Sequence, residues 1–341
     1  MNRFLVIAAG LSIFAASDVQ AQGGGLTTPV CPAGTNTATR VAQDACQQAY
    51  DVYQFMGPQL GLAVAGGNHT LGQNSTVGGL GHFSIGIHGT GFSGNLPKVD
   101  EYTQRTSGAT PSRQLATKSQ FMGLPGADAA IGIFGGLPLA LTNVGGLDLL
   151  LSAAYVPTIN SGSLSIKPDQ NLQIGYGVRL GLLSESLIVP GVSLTFLKRD
   201  LPTTTITGSS SYVSTAGQTT ASFAINDAKV KTTGWRLVAS KSLVFFGLAA
   251  GVGQDKYDQS ANVTANVTTT LGGNASAAVS NSQSMTRTNY FVDGTMSLLV
   301  AKLTAEVGQV SGGTVNTYNT FEAGRPDRSQ TYFSLGVRFG L

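Results

Sequence analysis

His82 and Ser84 stand two apart in the run His82-Phe83-Ser84-Ile85-Gly86-Ile87-His88. On an extended strand such residues share a face. That is the spacing of a nucleophile and its general base, provided a third group orients the imidazole. A lipid hydrolase would need the pair to meet lipid, yet the interleaved Phe83 and Ile85 are the apolar residues. They turn His82 and Ser84 inward, where a polar lumen pair is the better reading. The chain is therefore expected not to be an enzyme, with a barrel-type lipid hydrolase as the lesser alternative. Its histidines are His69, His82 and His88 alone, too few for a histidine-rich metal site, and no cofactor is expected.

Other candidates for chemistry are charges that fall on the same face as the small and polar residues of apolar segments. They are Asp128, Asp148, Arg179, Arg236, Asp293, Glu306 and Arg338. Acids and bases nearly balance, which fits either a polar constriction in a pore or a lumen closed by paired side chains. Barrels of about eight strands are filled by side chains, and only much larger ones leave a water channel. A closed or very narrow lumen is the expectation. Cys31 and Cys46 do not form CxxC and have no histidine near them. In an oxidising compartment they should form a disulfide, worth ~3 kcal/mol in the chain-entropy model.

These residues need a scaffold, and the chain describes one. Arg3, the uncharged run Phe4–Ala16 and Val19-Gln20-Ala21 read as a signal peptide over 1–21. The chain is 11% charged with 45 glycines and a mean hydropathy of +0.12. Soluble domains carry about 25% charge, and no later run is apolar enough for a spanning helix. A net charge of +3 gives no reason to expect a nucleic-acid partner. Residues 22–78 form an N-terminal segment, periplasmic or plugging the lumen. Within it Val41, Ala45, Ala49, Val52 and Tyr53 recur at helical spacing. The spacing predicts a helix over 37–56, capped by Thr37 or Thr39 and ended by Gly57-Pro58.

From residue 79 the period becomes two. Alternation marks ten strands, at 82–88, 127–134, 147–155, 172–182, 188–196, 233–239, 244–252, 290–298, 303–307 and 333–341. Their connections alternate short and long, the rhythm of periplasmic turns and extracellular loops. The Thr/Asn-rich loops 200–228 and 257–285 favour strand and should extend the barrel as tall hairpins. Tyr155, Phe196, Phe246, Tyr290 and Phe339 fit interfacial anchors. The expected fold is all-β: an antiparallel up-and-down transmembrane barrel of ten strands (twelve to fourteen as the alternative), over 79–341.

The terminal run Tyr332-Phe333-Ser334-Leu335-Gly336-Val337-Arg338-Phe339-Gly340-Leu341 resembles the β-signal of bacterial outer-membrane proteins. Ser334, Gly336, Phe339 and Leu341 fall on its defined positions, although Leu stands where Phe is commoner. The resemblance implies recognition by the barrel-assembly machinery, insertion among outer-membrane lipids of a Gram-negative bacterium, and both termini in the periplasm. Gly66-Gly67-Asn68-His69-Thr70-Leu71-Gly72, between a helix and the first strand, is similar to the start of the FadL-like transporters. Asn68 matches their Asn-Pro-Ala motif, while His69 and Thr70 depart from it. This resemblance implies passive transport or binding of a small hydrophobic molecule. The alternative is a sealed barrel whose outer hairpins serve surface contact.

Overall fold

The structure, a computed structural model, describes residues 25–73, 75–110, 114–139, 141–298 and 300–340. The expected signal peptide over 1–21 and Leu341 lie outside them. Ten strands form the wall: β1 (Phe83–Pro97), β2 (Thr117–Phe134), β3 (Gly146–Tyr155), β4 (Leu172–Leu183), β5 (Gly191–Asp200), β6 (Gly217–Leu243), β7 (Phe246–Thr269), β8 (Gly273–Leu298), β9 (Ala301–Ser311) and β10 (Gln330–Gly340). Each pairs antiparallel with its sequence neighbours. β1 then pairs with β10 from Ser84↔Gly340 to Phe92↔Tyr332, which closes the ring. Closure leaves no free ladder edge in the ten-stranded section, the condition for a sheet to sit in lipid.

Period-two alternation decides which side chain meets lipid. Ile85, Ile131, Leu149, Leu151, Ile174, Val292 and Leu335 are exposed on the outer face. So are the expected anchors Tyr155, Phe196, Phe246, Tyr290 and Phe339. The apolar coat is lost above the belt, where β6, β7 and β8 run on as the tall hairpins expected of 200–228 and 257–285. What read as a loop over 257–285 is strand except at the tip, Thr270 to Gly272. The segment 188–196 also shifts: β5 begins at Gly191, after Pro190, and carries on to Asp200.

The N-terminal helix, α1 (Thr37–Ala65), stands inside the barrel. Asn36, rather than Thr37 or Thr39, is its cap, and it accepts from the Thr39 N–H at 2.9 Å. The helix does not stop at Gly57-Pro58. Gly57 and Gly61, one turn apart, are where α1 packs closest to β7; a Cβ would fall 2.0 Å from Gln259 and 2.5 Å from Tyr257. Gly57 thus serves close approach, and α1 ends only at Gly66, at φ +60°. Buried nearly all round, the helix meets its polar residues with wall groups. Gln59 exchanges hydrogen bonds with the Asn95 backbone, and the Tyr53 hydroxyl donates to the Ser260 carbonyl at 2.9 Å. The Cys31–Cys46 disulfide forms as expected and ties residues 25–36 to the first half of α1.

The location of that first half corrects one expectation. Gly25 bridges Thr317 in the β9–β10 connection, and Leu26 donates to the Thr317 carbonyl at 3.2 Å. Gly340 pairs at the other end of the barrel, with Ser84. Residues 25 and 340 therefore lie at opposite ends, not on one side, because the segment before β1 crosses the lumen once.

Near the Thr317 end Asp51 of α1 accepts from the N–H groups of Tyr318 (3.0 Å) and Asn319 (2.9 Å), and from Asn319 Nδ2 and Gln47 Nε2. Burial pushes its carboxyl up to about 7, against these donors. The folded value stands above the unfolded one. The contribution is therefore complete below pH ~4 and is lost as pH rises through the folded value, at most ~4 kcal/mol in all. The thermal midpoint should fall between pH 5 and pH 8, and Asp51→Asn should flatten that fall. Equal slopes in wild type and variant would contradict this role.

Candidate functional site

A chain that crosses a lumen in irregular conformation carries unpaired carbonyls, and buried carbonyls need donors. Between the end of α1 and β1, wall arginines supply them. Arg199 of β5 donates through Nη1 to the Ala65 carbonyl (2.9 Å) and through Nη2 to that of His69 (3.3 Å). Arg236 of β6 reaches the Gly67 carbonyl at 3.3 Å, and Arg338 of β10 that of Leu71 at 2.7 Å. Arg179 of β4 holds Thr70 Oγ1 at 2.8 Å and the Gln73 carbonyl. Acids serve the donors of the same segment. Asn68 donates its N–H to Glu306 (2.9 Å) and its Nδ2 to Asp293 (2.8 Å), and the Val77 N–H points at Asp148.

Three of the four clamp arginines are balanced by a carboxylate. Arg179 pairs with Asp148 at 2.7 Å and Arg236 with Asp255 at 2.8 Å; Arg338 pairs with Asp128. Arg199 has no carboxylate partner among the described residues and instead faces the negative end of α1. All seven charges read from the sequence are buried in the lumen. Asp293 and Glu306 stand directly opposite each other in the β8–β9 register and share Asn68. Arg199 and Asp255 were not read from the sequence. They keep the inward parity of β5 and β7, but beyond Phe196 and Val252, where the apolar alternation fades.

The histidine and serine readings separate. Ser84 is buried and accepts from Arg338 Nη1 at 2.9 Å. His88 faces inward, its Nδ1 3.1 Å from Asp128 Oδ1. His82, expected inward, is instead exposed ahead of β1, since the ladder begins only at Phe83. Among the described residues no hydrogen bond joins His82 to Ser84, so no nucleophile–base pair is assembled there. In β10, Ser334 bonds Glu306 (3.2 Å) and Phe339 faces outward. Gly336 faces inward at a place where a Cβ would come within 2.9 Å of His88 and 3.0 Å of Leu71.

A second feature lies in the wall. β2 pairs with β3 only from Gly126 downward, so its upper part, Thr117–Pro125, has a partner on the β1 side alone. Above the short β3 to β5, the wall is continued from β6 by Thr204–Ser214, Leu164–Pro168 and Ile159–Ser161, and there the ladder stops. Proline cannot donate to a ladder, and Pro125 and Pro157 stand at the two edges of the break. Behind it lies an apolar cavity of about 30 Å³, lined by Leu60 and Ala63 of α1, Met122 and Leu124 of β2, and Ile159 and Ile166. A niche below it adds His88, Gln173 and Arg199.

Fold and site together define a transmembrane β-barrel closed by its own N-terminal segment. No family model matches the chain, and no curated protein matches it. Among solved structures it is similar to the transport unit of the autotransporter AIDA-I from Escherichia coli, at 8% identity and a TM-score of 0.27, over 87% of this chain and 99% of that one. It is likewise similar to a Pseudomonas aeruginosa FadL homologue, at 8% identity and 0.30, over 92% and 99%. The Pseudomonas putida toluene transporter TodX gives 10% and 0.29, over 82% and 97%. The barrel assignment rests on the closed ladder and the apolar outer face rather than on these likenesses.

Removing one member of a clamp pair strands the other in the lumen, which costs about 3–5 kcal/mol. Arg338→Met should therefore lower the thermal midpoint markedly and open transient ion conductance in planar bilayers. Arg338→Met with Asp128→Leu should recover much of the stability but not the grip on Leu71, so the conductance persists. A silent double variant would show that the clamp does not hold the plug.

Proposed function

We propose that the protein is a plugged barrel of the bacterial outer membrane that binds small hydrophobic molecules and passes them through the side of its wall. The observation that carries this reading is the break between β2 and Ile159–Ser161, backed by an apolar cavity against α1. The arginine clamp seals the direct route below, so a molecule lodged behind the break has the break itself as its way out. A cavity of about 30 Å³ holds a couple of waters. A larger guest requires α1 to shift, and the nearby prolines leave fewer ladder bonds to resist it. The short turns and Gly340 are taken to face the periplasm, and the tall hairpins with residue 25 the exterior. No catalytic step is assigned.

One set of observations favours a second reading, a permanently sealed barrel that displays its hairpins. Arg179, Arg236 and Arg338 are each paired with an aspartate, and the cavity is small. Fluorescence titration with naphthalene and solute flux into proteoliposomes separate the two. Binding should be saturable in wild type, and at least tenfold weaker in Ala63→Phe, which fills the cavity and leaves every clamp side chain in place. Flux of naphthalene should survive in wild type, while removal of residues 22–70 should admit polar solutes as well. Absence of both binding and flux, with or without those residues, would leave the sealed barrel standing and sink the transport reading.

A further inference from the structure

We propose that the collar of short turns at the Gly340 end of the barrel lies in the acyl-chain layer of the membrane rather than in water. Turns that project into a periplasm are ordinarily polar. Here every one carries large apolar side chains facing out: Leu80 before β1, Leu137 between β2 and β3, Leu187 between β4 and β5, Val244 and Phe245 between β6 and β7, and Val300 between β8 and β9. Leu187 is 93% exposed and Val244 89%. At the opposite end the corresponding hairpin tips are Thr, Ser, Gly and Asn with a lone Val213 or Leu271. An apolar surface of this extent marks an interface.

Three observations identify lipid as the occupant. The apolar side chains occupy the whole circumference, whereas a globular partner or a second copy would cover one sector. They are continuous with the lipid-facing belt through Phe246, Leu298 and Ile133. Backbone groups of the collar are paired within it, as an acyl layer demands, while His82 and Lys302 stay exposed. Ser184 donates to the Asn143 carbonyl at 2.8 Å, joining two turns, and Ser297 donates to that of Phe245 at 2.8 Å. Lys241 Nζ folds onto the Ser186 and Leu187 carbonyls, and Glu185 accepts from Ser242. The half-buried pair Lys241 with Glu185 thus caps turn backbone.

Tryptophan fluorescence in vesicles tests this, because Trp235 is the chain's one tryptophan. In a Trp235→Phe background, Phe245→Trp and Leu187→Trp are reconstituted separately into phosphatidylcholine vesicles, with ordinary or acyl-brominated lipid. Both reporters should emit at short wavelength, lose most of their intensity in brominated lipid and resist aqueous iodide. Quenching by iodide with none by brominated lipid would place the collar in water and overturn the proposal. Resistance to both, together with chemical cross-linking between copies, would assign the surface to protein and equally overturn it. Should either tryptophan prevent folding, Val244→Cys carrying an environment-sensitive bimane gives the same two readouts, since the native cysteines are joined to each other.

Discussion

The structure depends on wall guanidinium groups holding the carbonyls of residues 65–73. A helix that ends mid-lumen leaves its last carbonyls without intrahelical partners, and the irregular chain below it adds more. Fixed wall donors serve them. Arginine suits the task because its planar fork reaches a carbonyl and a carboxylate at once. Arg236 does this with Gly67 and Asp255, and Arg338 with Leu71 and Asp128. Each aspartate prevents an uncompensated charge, and each arginine fixes a point on the plug. Lysine, a point charge on a flexible stem, would fill one of these roles at a time.

The wall around the clamp is asymmetric. On the β6 to β8 side the strands are more than twice as long as β3 or β5, and they follow α1 to its N-terminal end. Arg287 of β8 gathers the carbonyls of Gly312, Val310, Asp327 and Arg328 and so folds the β9–β10 connection over the helix, where Phe55 stacks on Phe321 at 4.1 Å. On the β3 to β5 side the strands stop at belt height, Pro157 ends β3, and the upper wall is patched by short segments. The break in the ladder is the seam where patch and β2 fail to meet. Its position follows from where strands are long and where prolines stand.

The barrel was legible because alternation is a local property: Leu149, Leu151 and Tyr155 face lipid in the structure as their period of two demands. The loop rhythm and the disulfide were legible for the same reason. Other features were set by contacts far apart in sequence. Gly57-Pro58 reads as a helix end on local grounds, but a helix enclosed by β6, β7 and β8 gains more from packing than it loses at one proline. Arg199 and Asp255 lie past the apolar part of their strands, so parity without hydrophobic contrast gave no reason to extend them. Ser84 and His82 share parity, yet the ladder begins between them. The pairing of Arg236 with Asp255 needs the β6–β7 register, and Asn68 finds Asp293 only across the lumen.

Residues 66–73 are held by β4, β5, β6, β8, β9 and β10, and α1 packs chiefly on β6, β7 and β8. The helix, ~43 Å long at 1.5 Å per residue, has its first half fixed to residues 25–36 by the disulfide. In the finished structure the helix is buried nearly all round, within the wall that β1 and β10 close. Arg338 sits on that closing strand and contacts Leu71 of the plug, Ser84 of β1 and Asp128 of β2. One side chain thus ties the plug to both strands of the β1–β10 seam and to β2.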